Sequence, residues 1–316
     1  MWFIIRFFRQ IREIVYSIIR FIQENPVRKI NKMVEELRRL RSNGQEVSEV
    51  KQAVNNTIAK HRKLPLLRVA VQTKVPVWLY GDSGSGKSTA ARQVAEECGL
   101  DFRFISVCPT TSKSDLLGYN DAAGNYHPTA FREIYENGGV FLIDEIDNGN
   151  PSVLAVLNAA LSNEHCAFPD GNVARHEDTR IIAAANTIGR GASFEYVGRN
   201  ALDITTLDRF VYIRMDIDEN LEAALTGGDY DPDEAVDISA GGAVDTAQWR
   251  SFVQSVRDAC HELGVNHLVS PRACIYGHRL IQAGVGCRHL ERMCVWKGIS
   301  PEEKEKINDL AQTNTA

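Results

Sequence analysis

The segment Gly81-Asp-Ser-Gly-Ser-Gly-Lys-Ser88 constrains this chain more than any other. It follows the pattern G-x-x-x-x-G-K-[ST], a loop whose backbone N–H groups wrap phosphate. Its context fits as well. Val75-Pro-Val-Trp-Leu-Tyr80 reads as a buried strand directly before it, and Thr89 to Cys98 reads as a helix directly after it. A glycine-rich turn that opens a helix sets the positive end of the helix dipole beside a bound anion. Residues Gly81, Asp82, Ser83, Gly84, Ser85, Gly86, Lys87, Ser88 and Thr89 are therefore the expected nucleotide-binding loop. Lys87 is placed to reach the β- and γ-phosphates, and the Ser88 hydroxyl to bind Mg²⁺.

Beyond this loop, short apolar runs alternate with helical patterns, the signature of a parallel sheet with crossover helices. Val140-Phe-Leu-Ile-Asp-Glu-Ile-Asp147 reads as a central strand that ends in an acidic pair. In such sheets the carboxyl ends of the strands border the ligand. Asp144 is thus the expected holder of the Mg²⁺ shell, and Glu145 the group that orients the attacking water. A nucleotide kinase has no need of that second carboxylate, so Glu145 favours hydrolysis. Asp147 reads as a helix cap before Asn150-Pro151 rather than a catalytic group. A third strand, Thr179-Arg-Ile-Ile-Ala-Ala-Ala-Asn186, ends in a polar residue. Asn186 at that tip is expected to contact the γ-phosphate or the water, although Asn before Thr-Ile-Gly also suits a simple turn.

Six segments then carry a family resemblance: Ser114-Asp-Leu-Leu-Gly-Tyr119, Asn137 to Asp147, Phe168-Pro-Asp-Gly171, Ala184-Ala-Asn-Thr187, Tyr196-Val-Gly-Arg199 and Leu207-Asp-Arg-Phe210. With the phosphate loop, they resemble the MoxR and dynein-related branch of the AAA+ ATPases, which includes CbbQ-type activases and McrB-type restriction ATPases. The resemblance covers residues 64–300. It implies an α/β P-loop NTPase (AAA+) fold with a parallel five-stranded sheet core over 64–215 and a small all-α lid over 216–316; residues 1–63, a basic helical amino-terminal extension by their own pattern, lie outside it. It implies ATP and Mg²⁺ as cofactors and a homo-oligomeric ring, a hexamer by analogy, that remodels or activates an unidentified partner protein. It also implies roles that spacing alone does not assign. Arg209 resembles the arginine finger that reaches a neighbour's ATP, with Arg199 as its rival. Arg272, in Val269-Ser-Pro-Arg272, resembles the lid arginine that senses nucleotide, in its own subunit or the next. Lys87, Glu145, Asn186 and Arg209 then form the expected catalytic set, Ser88 and Asp144 the metal set, and Arg272 joins the nucleotide-binding residues.

Two inserts fit the same resemblance. Tyr119 to Tyr126, with Gly124-Asn125 at its tip, is an expected hairpin. Cys166 to His176, centred on Asp170-Gly171, carries the strongest hairpin signal in the chain. Hairpins of this kind line the pore in related rings; an inert surface hairpin is an equal alternative for any single residue. Helical patterns return at Thr246–Leu263, Pro271–Ala283 and Pro301–Leu310. The acidic stretch from Asp216 to Glu234 reads as a solvated linker, since its Asp-x-Asp spacing lacks the rest of a calcium loop. Cys287, His289 and Cys294 match no structural zinc spacing.

Composition matters chiefly at the amino end. The chain of 316 residues has a formal charge of −5, but residues 1–70 hold 15 Lys and Arg against 6 Asp and Glu, a local +9, and the remainder carries −14. Residues 1–22 form an amphipathic helical pattern, with Phe3, Ile4, Phe7, Phe8, Ile11, Ile14, Val15, Ile18 and Ile22 opposite Arg6, Arg9, Glu13 and Arg20. The interrupting charges argue against a spanning helix, and neither the order of charges nor a small-residue cleavage site suits a signal peptide. The greasy face is expected to meet a partner protein or a second subunit; peripheral contact with an anionic membrane is the alternative. Further helices are expected from Val27 to Leu40 and from Glu46 to Arg62. Seven cysteines without regular spacing point to a reduced, cytoplasmic setting. A nucleic-acid motor of the McrB kind and a membrane-associated, nucleotide-gated scaffold are the rival functions. Nucleic acid is the less favoured partner, because residues 27–63 show no aromatic interleaving among their charges.

Overall fold

The computed structural model describes residues 59–313, apart from 193–195, 226–230, 232–233 and 266. The amphipathic pattern of residues 1–22 and the helix expected from Val27 to Leu40 lie outside the described residues. Of the helix expected up to Arg62 only 59–62 are described, and they are not helical. The chain divides into two compact units, one of them Lys63–Ile217 with Val236–Ala316.

The larger unit is built on one sheet. Its elements begin with α1 (Leu64–Gln72), β1 (Val77–Tyr80), α2 (Lys87–Glu97), β2 (Phe102–Ser106), α3 (Lys113–Leu117), β3 (Tyr119–Asn120), β4 (Tyr126–His127), α4 (Ala130–Asn137) and β5 (Gly139–Asp144). They continue with α5 (Pro151–Ser162), β6 (His165–Phe168), β7 (Gly171–Ala174), β8 (Thr179–Ala185), α6 (Ile204–Leu207) and β9 (Val211–Arg214). Five strands pair in the order β2-β5-β8-β1-β9, all parallel. A parallel sheet is covered on both faces, so its strands read as unbroken apolar runs. Every residue of β8 is buried, and so are the first five of β5. Alternate side chains then divide between two cores. Val77, Leu79, Leu142, Ile182 and Ile213 meet α1, α2 and the carboxyl-terminal helices on one face. Trp78, Phe141, Ile143, Ile181 and Tyr212 meet α4 and α5 on the other.

Two hairpins leave this core. The pair β3–β4 closes over Asp121, whose carboxylate accepts N–H bonds from Ala123 and Asn125, both 2.9 Å. The pair β6–β7 turns at Pro169-Asp170, one residue earlier than the Asp170-Gly171 centre expected, because Phe168 pairs with Gly171. Pro169 explains the shift: its fixed φ suits the first corner of a turn better than the strand end assigned to it. The hairpins touch each other. Asn120 Nδ2 donates to Pro169 O at 3.1 Å, and the Arg132 guanidinium lies over the Tyr126 and Phe168 rings while binding Asp170 at 2.7 Å.

The carboxyl-terminal part of this unit is helical: α8 (Thr246–Leu263), α9 (Pro271–Gln282), α10 (Cys287–Leu290), a π-type turn over Glu291–Val295, and α11 (Pro301–Thr313). Asp245 and Gln248 form a capping box on α8, and Ser270 caps α9 ahead of Pro271. The short α10 and its π turn have no counterpart in the sequence pattern. Gly277 lets α9 approach α8, because a Cβ there would stand 1.9 Å from Trp249 Nε1, the atom that donates to Ala273 O at 3.1 Å. Gly277→Ala is therefore expected to cost about 1–3 kcal/mol in thermal or urea unfolding, the usual range for overpacking a well-filled core.

Of the smaller unit, the described residues are 59–62 and parts of 218–235. Here Glu219–Leu225 forms a helix, α7, where a solvated linker was expected. Asp218 is the reason, since its carboxylate accepts from Leu221 N at 3.1 Å and from Arg62 N at 2.6 Å, which caps the first turn. Among the described residues no helix is long and apolar enough to cross a membrane, and no cluster of three or more His, Cys, Asp or Glu is arranged for a metal. Cys287 donates to Glu291, and His289 donates to Asp237 O, so these groups are held by the protein itself.

Candidate functional site

All three polar strand ends named above come together at the carboxyl edge of the sheet. A cleft there is lined by Ser83, Gly84, Gly86, Lys87, Ser88 and Thr89 from the loop, by Asp144 and Glu145 from the end of β5, and by Ala185 and Asn186 from the end of β8. The loop sits tightly on the sheet. Gly81 is required, because a Cβ there would stand 2.1 Å from the backbone oxygen of Met215. Lys87 is buried and donates to Gly81 O and Asp82 O, both at 2.8 Å, and to Asn186 Oδ1 at 3.2 Å. Burial pushes its pKa down, while the nearby Asp144 carboxylate works in the opposite direction. Those acceptor oxygens, and the Ser85 Oγ at 3.5 Å, are all neutral, so a phosphate would be a stronger acceptor for the same ammonium.

Ser88 Oγ donates to Asp144 Oδ2 at 2.6 Å, and Asp144 Oδ1 accepts the Glu145 N–H at 3.0 Å. One hydroxyl and one carboxylate side by side at a helix start are hard oxygen donors. They match the way Mg²⁺ is held, by few protein ligands with the remaining places left to phosphate and water. The residues present therefore fit that ion.

Glu145 has a left-handed backbone, φ 52° and ψ 37°, unusual for a residue with a side chain. Its carboxylate is half-exposed at the mouth of the cleft and receives Arg199 Nη1 at 3.1 Å on Oε2. The same nitrogen lies 3.2 Å from Asp147 Oδ1. Asp147 is not a helix cap. It is fully buried, and Oδ2 accepts both the Thr187 N–H at 3.1 Å and the Thr187 hydroxyl at 2.8 Å. The cap reading failed because a polar residue before Asn-Pro looks the same in sequence whether it turns outward or inward.

The remaining two arginines lie elsewhere. Val77 pairs with Val211, so Arg209 stands at the amino edge of the sheet, opposite the phosphate loop. Its side chain donates to Ser162 Oγ at 2.8 Å and to Thr205 O. Arg272 is at the same edge, bonded to the buried Asp208 at 2.9 Å. The two guanidiniums are close enough that, after burial, Arg272 is the leading influence lowering the pKa of Arg209. Asp208 also accepts the Ser270 hydroxyl at 2.6 Å and faces Lys297 at 3.8 Å, while Lys297 donates to Phe210 O at 3.2 Å. Lys87, Ser88, Asp144, Glu145 and Asn186 are thus brought together, and Arg209 and Arg272 are not brought to them. Asp147, Thr187, Asp208 and Lys297 went unrecognised in sequence; only the acidic residue next to Arg209 offered a hint.

Comparison with known proteins bears on the fold. Residues 76–210 match the family model of the AAA domain (dynein-related subfamily). Midasin of Giardia intestinalis is 29% identical over 168 residues, which is 51% of this chain and 3% of midasin. Protein MoxR of Methylorubrum extorquens is 25% identical over 158 residues, 49% of this chain and 44% of that protein. The chain thus spans less than half the length of these relatives. A crystal structure of an ATPase-class protein from Cytophaga hutchinsonii shares the fold, with a TM-score of 0.55 at 16% identity over 89% of this chain and 94% of the other.

Proposed function

We propose that this chain, whose residues 76–210 are an AAA domain of the dynein-related, MoxR-like branch of the AAA+ ATPases, hydrolyses ATP at the interfaces of a ring and uses the cycle to remodel or activate a partner protein. The observation that carries the reading is the split just described: loop, acidic pair and Asn186 at one edge of the sheet, Arg209 and Arg272 at the other.

In this reading the loop N–H groups and Lys87 hold the phosphate chain, with the ammonium leaving its carbonyl partners for the β- and γ-oxygens. Ser88 and Asp144 hold Mg²⁺, which supplies charge neutralisation on the phosphates when bound. Glu145 orients the attacking water in line with the γ-phosphorus and draws off its proton as the new P–O bond forms and the bond to the β,γ-bridging oxygen breaks, which releases ADP and phosphate. Asn186, next to Lys87 and at the tip of β8, donates from its amide to the γ-phosphate or the water. Arg209 and Arg272 are too far around the sheet to serve their own site. They reach the nucleotide of the next subunit, where an arginine is worth about 10³–10⁵ in rate. The linked hairpins β3–β4 and β6–β7 then contact the substrate protein.

Two inactive variants test the sharing. Lys87→Ala removes the phosphate-binding cation and Arg209→Ala the donated one. Each alone is expected to have almost no Mg²⁺-dependent ATPase activity, whereas mixed chains regain a measurable fraction because some interfaces combine an intact loop with an intact arginine. Failure of the mixture to exceed the separate rates, with mixed assemblies present, would rule out shared sites.

A further inference from the structure

Arg199 is bound to the residue on which the proposed hydrolysis most depends. Its single Nη1 bridges Glu145 Oε2 and Asp147 Oδ1, at 3.1 and 3.2 Å. The guanidinium is mostly buried, 13% exposed, and Asp147 is 0% exposed. A buried carboxylate needs a cationic partner, so Asp147 fixes where the guanidinium lies. The backbone fixes it a second time. Asn200, the next residue, donates from N to Asp147 O at 2.8 Å and from Nδ2 to Gly149 O at 3.0 Å, which ties this loop to the turn following Glu145. Asp147 in turn holds Thr187, the residue after Asn186. A continuous polar chain therefore joins the two carboxyl-edge residues that face the γ-phosphate.

We propose that Arg199 is a positioning residue of its own subunit's active site, which holds the Glu145 carboxylate in its working rotamer and registers it against Asn186 through Asp147 and Thr187. The inference rests on Glu145 acting on the water. Three features support it. Glu145 carries a left-handed backbone that leaves its half-exposed side chain without other support, and no second hydrogen bond to the carboxylate is present among the described residues. The bond occupies Oε2 alone, so Oε1 stays open to a water. A guanidinium paired with two carboxylates of its own chain is committed there, and this separates Arg199 from Arg209, whose partners are a hydroxyl and a carbonyl.

The test compares four full-length variants with the parent chain in Mg²⁺-ATP turnover and in binding of a fluorescent adenine nucleotide. Arg199→Gln is expected to lower kcat about 10–100-fold with KM for ATP and nucleotide affinity changed less than about twofold, the pattern of a displaced catalytic group. Because that variant leaves Asp147 buried without a cation, the pair Arg199→Gln with Asp147→Asn removes both charges; it is expected to fold and to show the same loss of kcat. Glu145→Gln sets the floor, and Arg199→Gln added to it is expected to change the residual rate less than about twofold, since the arginine acts through Glu145. Parental kcat in the neutralised pair, or a full multiplicative loss in the Glu145→Gln background, would overturn the role of Arg199. Parental turnover in Glu145→Gln itself would instead remove the hydrolytic assignment of Glu145, whatever Arg199 does.

Discussion

Purified Glu145→Gln protein is expected to bind ATP as tightly as the parent and to turn it over about 10²–10⁴-fold more slowly, the usual worth of a positioned general base. The substitution keeps the volume of the side chain and its reach toward Arg199, and it leaves Lys87, Ser88 and Asp144 unchanged. Their contacts, Lys87 to the loop carbonyls and Ser88 to Asp144 at 2.6 Å, do not pass through the Glu145 side chain. What is lost is the negative charge facing Arg199 and, with it, the capacity to accept a proton from water. Phosphate release at saturating Mg²⁺-ATP measures the effect, and a parallel nucleotide-binding titration separates it from lost affinity. Weakened binding with an undiminished maximal rate would assign Glu145 to holding nucleotide instead. The same variant is expected to retain ATP for long periods, which makes it the form in which a partner protein should co-purify.

The second large effect lies away from the cleft. Asp208 is buried against Ser270, Arg272 and Lys297, three residues from the helical part of the unit. Replacing one member of such a cluster strands the others. Asp208→Ala is expected to cost about 3–5 kcal/mol, roughly 6–20 °C in unfolding temperature for a unit of this size. Adding Lys297→Met should recover part of that loss, because this cluster then holds no unpaired ammonium. The pH dependence has a definite sign. Burial holds the Lys297 pKa below the ordinary lysine value, and Asp208 opposes that shift. Between the lowered value and the ordinary one the unfolded chain binds more protons than the folded chain, so stability rises with pH across the interval. Without Asp208 the interval extends further down. The deficit of Asp208→Ala should therefore shrink as the pH of thermal melts is raised toward the parent's own lowered Lys297 value.

Much of this site was legible from sequence because its residues occupy strand ends. A run such as Val140 to Asp144 declares both its burial and the edge at which its first charge emerges. Gly81 and Lys87 were legible for a second reason, since a loop that must wrap an anion tolerates few alternatives. What escaped notice is held by contacts between segments distant in sequence. Asp147 is 40 residues from Thr187 and 52 from Arg199, and nothing local distinguishes an inward carboxylate from a capping one. Likewise Lys297 looks like any exposed lysine near Gly298 until Asp208 is seen beside it. The helix Leu64–Gln72 was missed because apolar residues surround most of its circumference, with Leu64, Leu66, Leu67, Val69, Ala70 and Val71 all buried, so no polar stripe marked its period. The turn at Pro169 shows a smaller version of the same limit: Asp-Gly is a strong local signal, but the pairing of Phe168 with Gly171 decided the corner.

If sites are shared as proposed, the placement of Arg209 and Arg272 at the edge of the sheet opposite the phosphate loop has a kinetic corollary. A reaction that draws cations from one end of a molecule and nucleotide from the other end of its neighbour is not first order in protein. Specific activity should fall on dilution, steeply below the concentration at which chains associate, and should rise again when an inert crowding agent or a tether brings them together. An interface that shared sites in this way would be head-to-tail, and would repeat until it closed on itself or ran on as a filament. A chain stranded at an open end would keep either an unused arginine pair or an unserved nucleotide, which ties the yield of active sites directly to closure.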